Sequence, residues 1–350
     1  MKHVVYTKKG MWKFYYDSHL GICFYEPNGI TPMILFESGL EDFSVACDTD
    51  SSIYLLCQDD KNSIWLFLFD NKKWTRQCIF ESKSLVPYKK QFQTIIINGW
   101  LNAFYTIKHG SKYMLIHHIL NNEDTPNVIE QSDEPFIFTV FADNNFNLHC
   151  LYKKESLGEK IYNWANKSWC NFLPLAEVFG DIVYLCAISD TENKTHFTYC
   201  SQVKHDYSVC YGNNSGVQEL MCGISVNPKP VVFYYEKFYI LFRLGGRLLK
   251  TYSEKPDEGF LKPTYYFPGS FSAHSLFKIS CPENLSNYGI YTNEIYGTEI
   301  RPDRFDASII GEKLNGIDFS LPVIPKQQPF EIEKYVGSSA PFENKDESPE

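Results

Sequence analysis

The chain has 350 residues, a formal net charge of −9 and only five arginines: Arg76, Arg243, Arg247, Arg301 and Arg304. Such a surface is poorly equipped to track phosphates, which argues against a nucleic-acid partner. No apolar run approaches the roughly 20 residues of a spanning helix, and MKHVVYTKKGMWKFYYDSH lacks the apolar core and cleavage site of a secretion signal, so neither membrane insertion nor export is expected and the location read from the sequence is cytoplasmic.

Aromatic residues make up 16% of the chain, and such side chains fit a pleated, half-buried surface. No segment of 11 to 18 residues has apolar positions at helical spacing, whereas short apolar runs separated by turn residues recur about every 10 residues, the pattern of an all-β sandwich, barrel or propeller.

In chain order, residues 3 to 38 hold four such runs (HVVYT, WKFYY, GICFY, MILFE). A second unit has runs at Phe43 to Cys47, Ile53 to Cys57, Ile64 to Phe69 and Trp74 to Phe80. The next has them at Ile95 to Ile97, Ala103 to Ile107, Tyr113 to Ile119 and Asn127 to Glu130. A fourth has them at Phe136 to Ala142, Leu148 to Tyr152, Ile161 to Trp164 and Trp169 to Leu175. A fifth begins near Asp190, and a sixth runs from Val231 through the Gly245-Gly246 hairpin turn to Phe267. The span from Phe271 to about Glu312 supplies a last unit.

The units are related by a repeat. Asp48 is followed 26 positions later by Trp74, and Asp143 by Trp169, with an alternating apolar run beginning five positions after each acid. Asp190 keeps the spacing and the turn but has lost the tryptophan. Units of four strands starting about 45 to 50 residues apart match propeller blades. The expected fold is therefore an all-β, seven-bladed β-propeller of four-stranded antiparallel blades over residues 1–312, six or eight blades following if a terminal unit is misassigned or one blade combines strands from both chain ends. Residues 313–350 are proline-containing and end in FENKDESPE, a composition expected to give a tail that is disordered toward its end.

The residues Asp48, Asp50, Ile53, Tyr54 and Trp74, and again Asp143, Asn145, Leu148, His149 and Trp169, resemble the degenerate repeats of sialidase-like β-propellers. The Lys, Asn, Ile and Tyr bias also resembles uncharacterised propeller proteins of low-GC Gram-positive bacteria. The sialidase Asp-box itself is missing: in the nearest stretch, Ser189 to His196, the acid stands one place early and the glycine is absent. No arginine lies in a motif that would build the carboxylate clamp of that family, and no catalytic residue is carried over.

The residues offer little chemistry of their own. HExxH, GxSxG, P-loop and GxGxxG motifs in the needed context are absent. His117 and His118 would face opposite sides of a strand and cannot chelate one metal. His149 and His196 occupy the repeat position also taken by Tyr54 and Phe104, which points to packing. Asp59-Asp60 reads as a solvated hairpin. The 11 cysteines lie mostly in apolar runs without a CxxC pair, as reduced core residues do. No metal or cofactor is expected. What remains is the set of acidic connections between blades, Glu41, Asp42, Asp133, Glu134, Glu177 and Asp181, which would gather on one face and focus negative potential there, although the basic connection from Glu81 to Gln91 interrupts the series. Asp48, Trp74, Asp143, Trp169 and Asp190 are read as structural repeat positions. The expected function is non-enzymatic: a scaffold whose loops hold a protein or peptide. The alternative is a carbohydrate-binding or divergent glycoside-hydrolase propeller of the sialidase-like type.

Overall fold

The structure is a computed structural model that describes residues 2–83, 88, 90–120, 125–266, 274–281, 290–301 and 304–307, all within the compact unit Met1–Ile317. The tail expected from residue 313 onward lies outside the described residues.

The chain forms six antiparallel blades in succession. Blade I holds β1 (Lys2–Thr7), β2 (Gly10–Asp17), β3 (Gly21–Tyr25) and β4 (Met33–Phe36). Blade II holds β5 (Gly39–Cys47), β6 (Ile53–Asp59), β7 (Ile64–Asp70) and β8 (Lys73–Phe80), and blade III holds β9 (Phe92–Ile97), β10 (Trp100–His109), β11 (Lys112–Ile119) and β12 (Asn127–Ser132). In blade IV, β13 (Phe138–Ala142), β14 (Leu148–Lys153) and β15 (Leu157–Asn163) precede an outer edge split into β16 (Ser168–Trp169) and β17 (Leu173–Ala176). Blade V holds β18 (Asp181–Ser189), β19 (Thr195–Val203), β20 (Asp206–Asn213) and β21 (Gly216–Ile224). Blade VI holds β22 (Val231–Tyr235), β23 (Lys237–Leu244), β24 (Arg247–Ser253) and β25 (Thr264–Tyr265).

The expected seventh blade does not form. Its strands are divided between the two ends of the ring. β26 (Ser275–Ser280) runs parallel to β1, with His3 opposite Lys278 and Val5 opposite Ser280. β27 (Ile290–Tyr291) pairs with β22, and β28 (Glu294–Arg301) with β29 (Arg304–Ala307) continues the blade I sheet beyond β26. Among the described residues the inner edges of β5, β9, β13 and β18 carry no partner strand, whereas those of β1 and β22 are paired by β26 and β27. Satisfying both edges uses the strands that a seventh sheet would need.

Strand periodicity explains the core. Successive side chains point to opposite faces, so Val45, Leu55 and Phe67 enter the apolar layer shared with blade I, while their neighbours Ala46, Leu56 and Leu66 enter the layer shared with blade III. Blade IV behaves alike: Val140 and Cys150 face blade III, and Phe141 and Leu151 face blade V. Inner strands buried on both faces therefore read as near-continuous apolar runs, as β14 does.

The repeated tryptophans serve this layer. Trp74 meets Phe14 and Phe24 of the preceding blade at ring-centroid distances of 6.2 and 5.5 Å, and Trp169 meets Phe104 and His117 of its preceding blade at 6.0 and 5.3 Å. Each directly follows the residue that closes the outer hairpin, Lys73 opposite Asp70 and Ser168 opposite Asn163. In blade V, Gly216 closes the hairpin opposite Asn213, so the residue in the tryptophan's place by pairing is Val217, 42% exposed, which has no indole to reach across. Trp74→Ala is expected to lower unfolding free energy by about 3 kcal/mol, the order seen for large aromatic truncations, and Val217→Ala by less than about 1 kcal/mol; urea unfolding of both variants measures the difference.

Candidate functional site

The repeated acids build turns. Asp48 Oδ1 accepts the backbone N–H groups of Asp50 and Ser52 at 3.0 and 2.8 Å; Asp143 does the same for Asn145 and Asn147, and Asp190 for Glu192 and Lys194. Ser51, Phe146 and Asn193 take the left-handed conformation that closes each turn. The second oxygen meets the residue six positions on: Tyr54 at 3.3 Å, His149 at 3.5 Å and His196 at 3.0 Å. This explains why tyrosine and histidine interchange there.

Asp59 makes the same turn. It accepts Lys61 N–H and Ser63 N–H, has left-handed Asn62 in the third position, and binds Trp65 Nε1 at 2.9 Å. It is 7% exposed, so of the pair Asp59-Asp60, expected in a solvated hairpin, only Asp60 is exposed, while Asp59 is buried in a turn of the repeat type. The spacing from Asp59 to Trp65 was the available signal.

The histidines are likewise engaged in the fold. His149 is buried between Glu159 Oε2 at 3.0 Å and Asp143. Burial alone would lower its pKa, but the hydrogen bond and charge of Glu159, with Asp143, carry it above the usual imidazole value. Burial lowers that of His196, against the pull of Asp190. His117 stacks on Phe104 at 4.7 Å and its Nε2 lies 2.9 Å from Asn102 Oδ1; burial first, then His118, push it down to about 3.

Part of the basic connection before β9 is internal. Lys90 is fully buried, donating to Gln58 Oε1 and Asn62 Oδ1 at 2.7 Å each, with its ammonium 4.0 Å from the Tyr88 ring centroid. Burial pushes its pKa down to about 8, although Asp59 and Asp42 oppose this. Residues 84–87 and 89 of this connection lie outside the described residues.

One concavity among the described residues is axial. It has a volume of about 370 Å³ and lies between the final residues of β5, β9, β13, β18 and β26, with residues 291–294 forming another wall. Its lining mixes polar Thr94, Asn98, Asn144 and Thr292 with apolar Ile95, Ile96, Phe146 and Tyr291. Two carboxylates line it, and both are engaged. Asp48 belongs to its turn, while Glu294 accepts a hydrogen bond from Tyr184 and lies 3.8 Å from Lys278 Nζ. Burial raises the Glu294 pKa, with Lys278 and Tyr184 opposing. Among the described residues, no group of three or more His, Cys, Asp or Glu side chains could hold a metal ion, and the cysteines are free thiols.

The acidic connections lie elsewhere. Glu41 and Asp42 are in the first half of β5, Asp133 and Glu134 precede β13, Glu177 precedes β18 and Asp181 is its first residue. The cavity opens among the last residues of those same strands, so the six acids stand at the opposite end of the inner strands. Asp133 is paired with Lys112 at 2.7 Å. The cavity itself escaped sequence reasoning because its walls come from segments distant in sequence, and the repeat residues among them, such as Asp48, are turn-building positions.

Two pH responses follow. His117 binds protons less readily folded than unfolded, so its contribution is complete above about pH 6.5, the unfolded value, and is lost progressively as pH falls toward about 3, with a slope approaching 1.4 kcal/mol per pH unit; His117→Gln is expected to flatten that limb of a stability-versus-pH curve from chemical denaturation. Lys90 is also less readily protonated in the fold, so its contribution rises from pH about 8 toward the unfolded value near 10.4. Lys90→Met should remove that alkaline rise.

No family model and no curated protein matches the chain. Among solved structures it is similar to the SapL1 lectin in complex with alpha methyl fucoside, at 8% identity over 74% of this chain and 93% of that one, with a TM-score of 0.48. It is also similar to the BP39L lectin from Burkholderia pseudomallei (9% identity, 73% and 80% of the two chains, TM-score 0.48). A third is the fucose-specific lectin from Aleuria aurantia (10% identity, 78% and 89%, TM-score 0.43). At these values no residue role passes from them to this chain.

Proposed function

We propose that this propeller is a binding protein whose axial cavity receives a small polyhydroxylated molecule, one or two sugar rings in size. The observation that carries this is the mixed lining. A sugar presents hydroxyls around its edge and C–H groups on its faces, and hydroxyl and amide groups at Thr94, Asn98, Asn144 and Thr292 beside Ile95, Phe146 and Tyr291 are matched to both. Ligand sites are characteristically concave, largely apolar and fitted with a few placed polar groups. A volume of about 370 Å³ falls within the range of small-molecule pockets.

The state of the carboxylates supports binding rather than hydrolysis. A glycosidase needs two carboxyl groups free to act across the glycosidic bond. Here Asp48 is held by its own turn and Glu294 by Tyr184 and Lys278. A protein partner held by the acidic connections is the competing function, and a concave cavity at the other end of the strands favours the sugar over it.

The test uses the full chain on a glycan array, followed by calorimetry of the neutral mono- or disaccharides that bind. Thr94→Val and Tyr291→Ala are expected to weaken binding by about tenfold or more, equivalent to about 1.4 kcal/mol, while Glu41→Gln with Glu134→Gln leaves it unchanged. An array without a binder, together with a stoichiometric protein partner lost in the Glu41/Glu134 variant and retained in Thr94→Val, would overturn the proposal for the scaffold.

A further inference from the structure

The net charge of this chain is −9, yet cations converge at one point of its surface. Between blades VI and I, at the end of the ring where the inner strands begin, a recess of about 440 Å³ is lined by Lys2, Lys229 and Arg243 together with Ser275 and Tyr296. Lys2 opens β1, Ser275 opens β26, Lys229 precedes β22, and Arg243 is the next-to-last residue of β23. The recess is therefore made by the same closure that joins the two ends of the ring.

Among the described residues these charges are only partly compensated: Glu294 interacts electrostatically with Lys229, and Lys2 Nζ lies 5.6 Å from the Phe277 ring centroid. Lys2 is 3.7 Å from Glu299, with both side chains about 40% exposed, at 40% and 43%; a pair so open to water contributes little. Among the described residues, neither Lys229 nor Arg243 has a carboxylate within ion-pair distance. Arg243 instead donates from Nη2 to His274 O at 2.7 Å, while its backbone N–H donates to Pro228 O at 2.9 Å. The carbonyls of Pro228 and Lys229 also accept the buried Tyr296 hydroxyl, at 3.1 and 3.0 Å. The backbone carrying both cations is thus fixed before any ligand arrives, and pre-organisation reduces the ordering cost of binding.

We infer that this recess is an anion-binding site for a tetrahedral oxyanion of the phosphate class. Its elements fit that chemistry: Arg243 offers a planar fork of donors matched to two oxygens, Lys229 and Lys2 add point charges, and the Ser275 hydroxyl adds a neutral donor. An anion there offsets the mutual repulsion of three like charges. The site is separate from the axial cavity, whose lining shares none of these residues.

The test titrates the full-length protein with inorganic phosphate, with a phosphorylated monosaccharide and with the same monosaccharide lacking phosphate, following phosphorus NMR line widths and displacement. Saturable binding that weakens with added sodium chloride is expected. It should fall about tenfold or more in Arg243→Gln and in Lys229→Gln, and stay unchanged in Arg76→Gln, a surface arginine of blade II, and in Thr94→Val of the axial cavity. Binding of inorganic phosphate as tight as that of the ester identifies a free oxyanion as the ligand; tighter binding of the ester identifies a phosphorylated group on a larger molecule. Either supports the site. Absence of saturable binding by both phosphates, binding that persists undiminished in the Arg243 and Lys229 variants, or displacement of phosphate by the neutral sugar would overturn it.

Discussion

The parallel pairing of Ser275–Ser280 with Lys2–Thr7 is the contact on which the rest of the molecule depends. Six blades follow one another through five local junctions, because each outer strand is followed in sequence by the next inner one. The ends of the ring cannot be joined that way. β26 covers the free edge of β1 and β27 covers that of β22, so a segment remote in sequence from the first strand supplies the last hydrogen bonds of the ring. The same segment contributes Lys278 and residues 291–294 to the axial cavity, and Ser275 and Leu276 to the cationic recess. Both concavities thus include residues of the segment that follows blade VI.

The aspartate turns act at a more local level. One carboxylate oxygen caps two backbone N–H groups that would otherwise be unpaired at the start of a hairpin, and the other oxygen orients a donor side chain six residues on. Buried polar groups need such partners, and Asp143 and Asp59, at 5% and 7% exposure, have them. The network extends between blades: Glu159 Oε2 accepts from Thr195 as well as meeting His149, and Asn144 donates to Asp190 O and to Asn193 Oδ1 in the next turn. Acids that could have marked a ligand site are consumed in holding neighbouring blades in register.

Much of the blade structure was legible. The runs beginning at Ile53, Ile64, Leu148 and Val231 each coincide with the start of a strand, since apolar alternation and turn residues are local properties. Tyr54, His149 and His196 were equivalent by spacing, and they share one hydrogen-bonding role. The unit after Phe271 was misassigned because its apolar runs do form strands; what they pair with depends on which edges elsewhere are open, and spacing carries no information about that. Lys90 stood in a basic, polar stretch that read as surface, but Gln58 and Asn62 of the preceding blade enclose it.

The sequence by itself determined that the chain is built of four-stranded units, where most strands begin, and which acids and aromatics recur to cap turns and fill the layers between blades. These follow from side-chain alternation and turn chemistry within a few tens of residues. Only the tertiary structure decided the blade number of six, the capture of β26 by β1, the position of the axial cavity among the last residues of the inner strands, and the meeting of Lys2, Lys229 and Arg243. Each of these is set by which distant edges and surfaces come together when the ring closes, and closure is a property of the whole circle rather than of any one repeat.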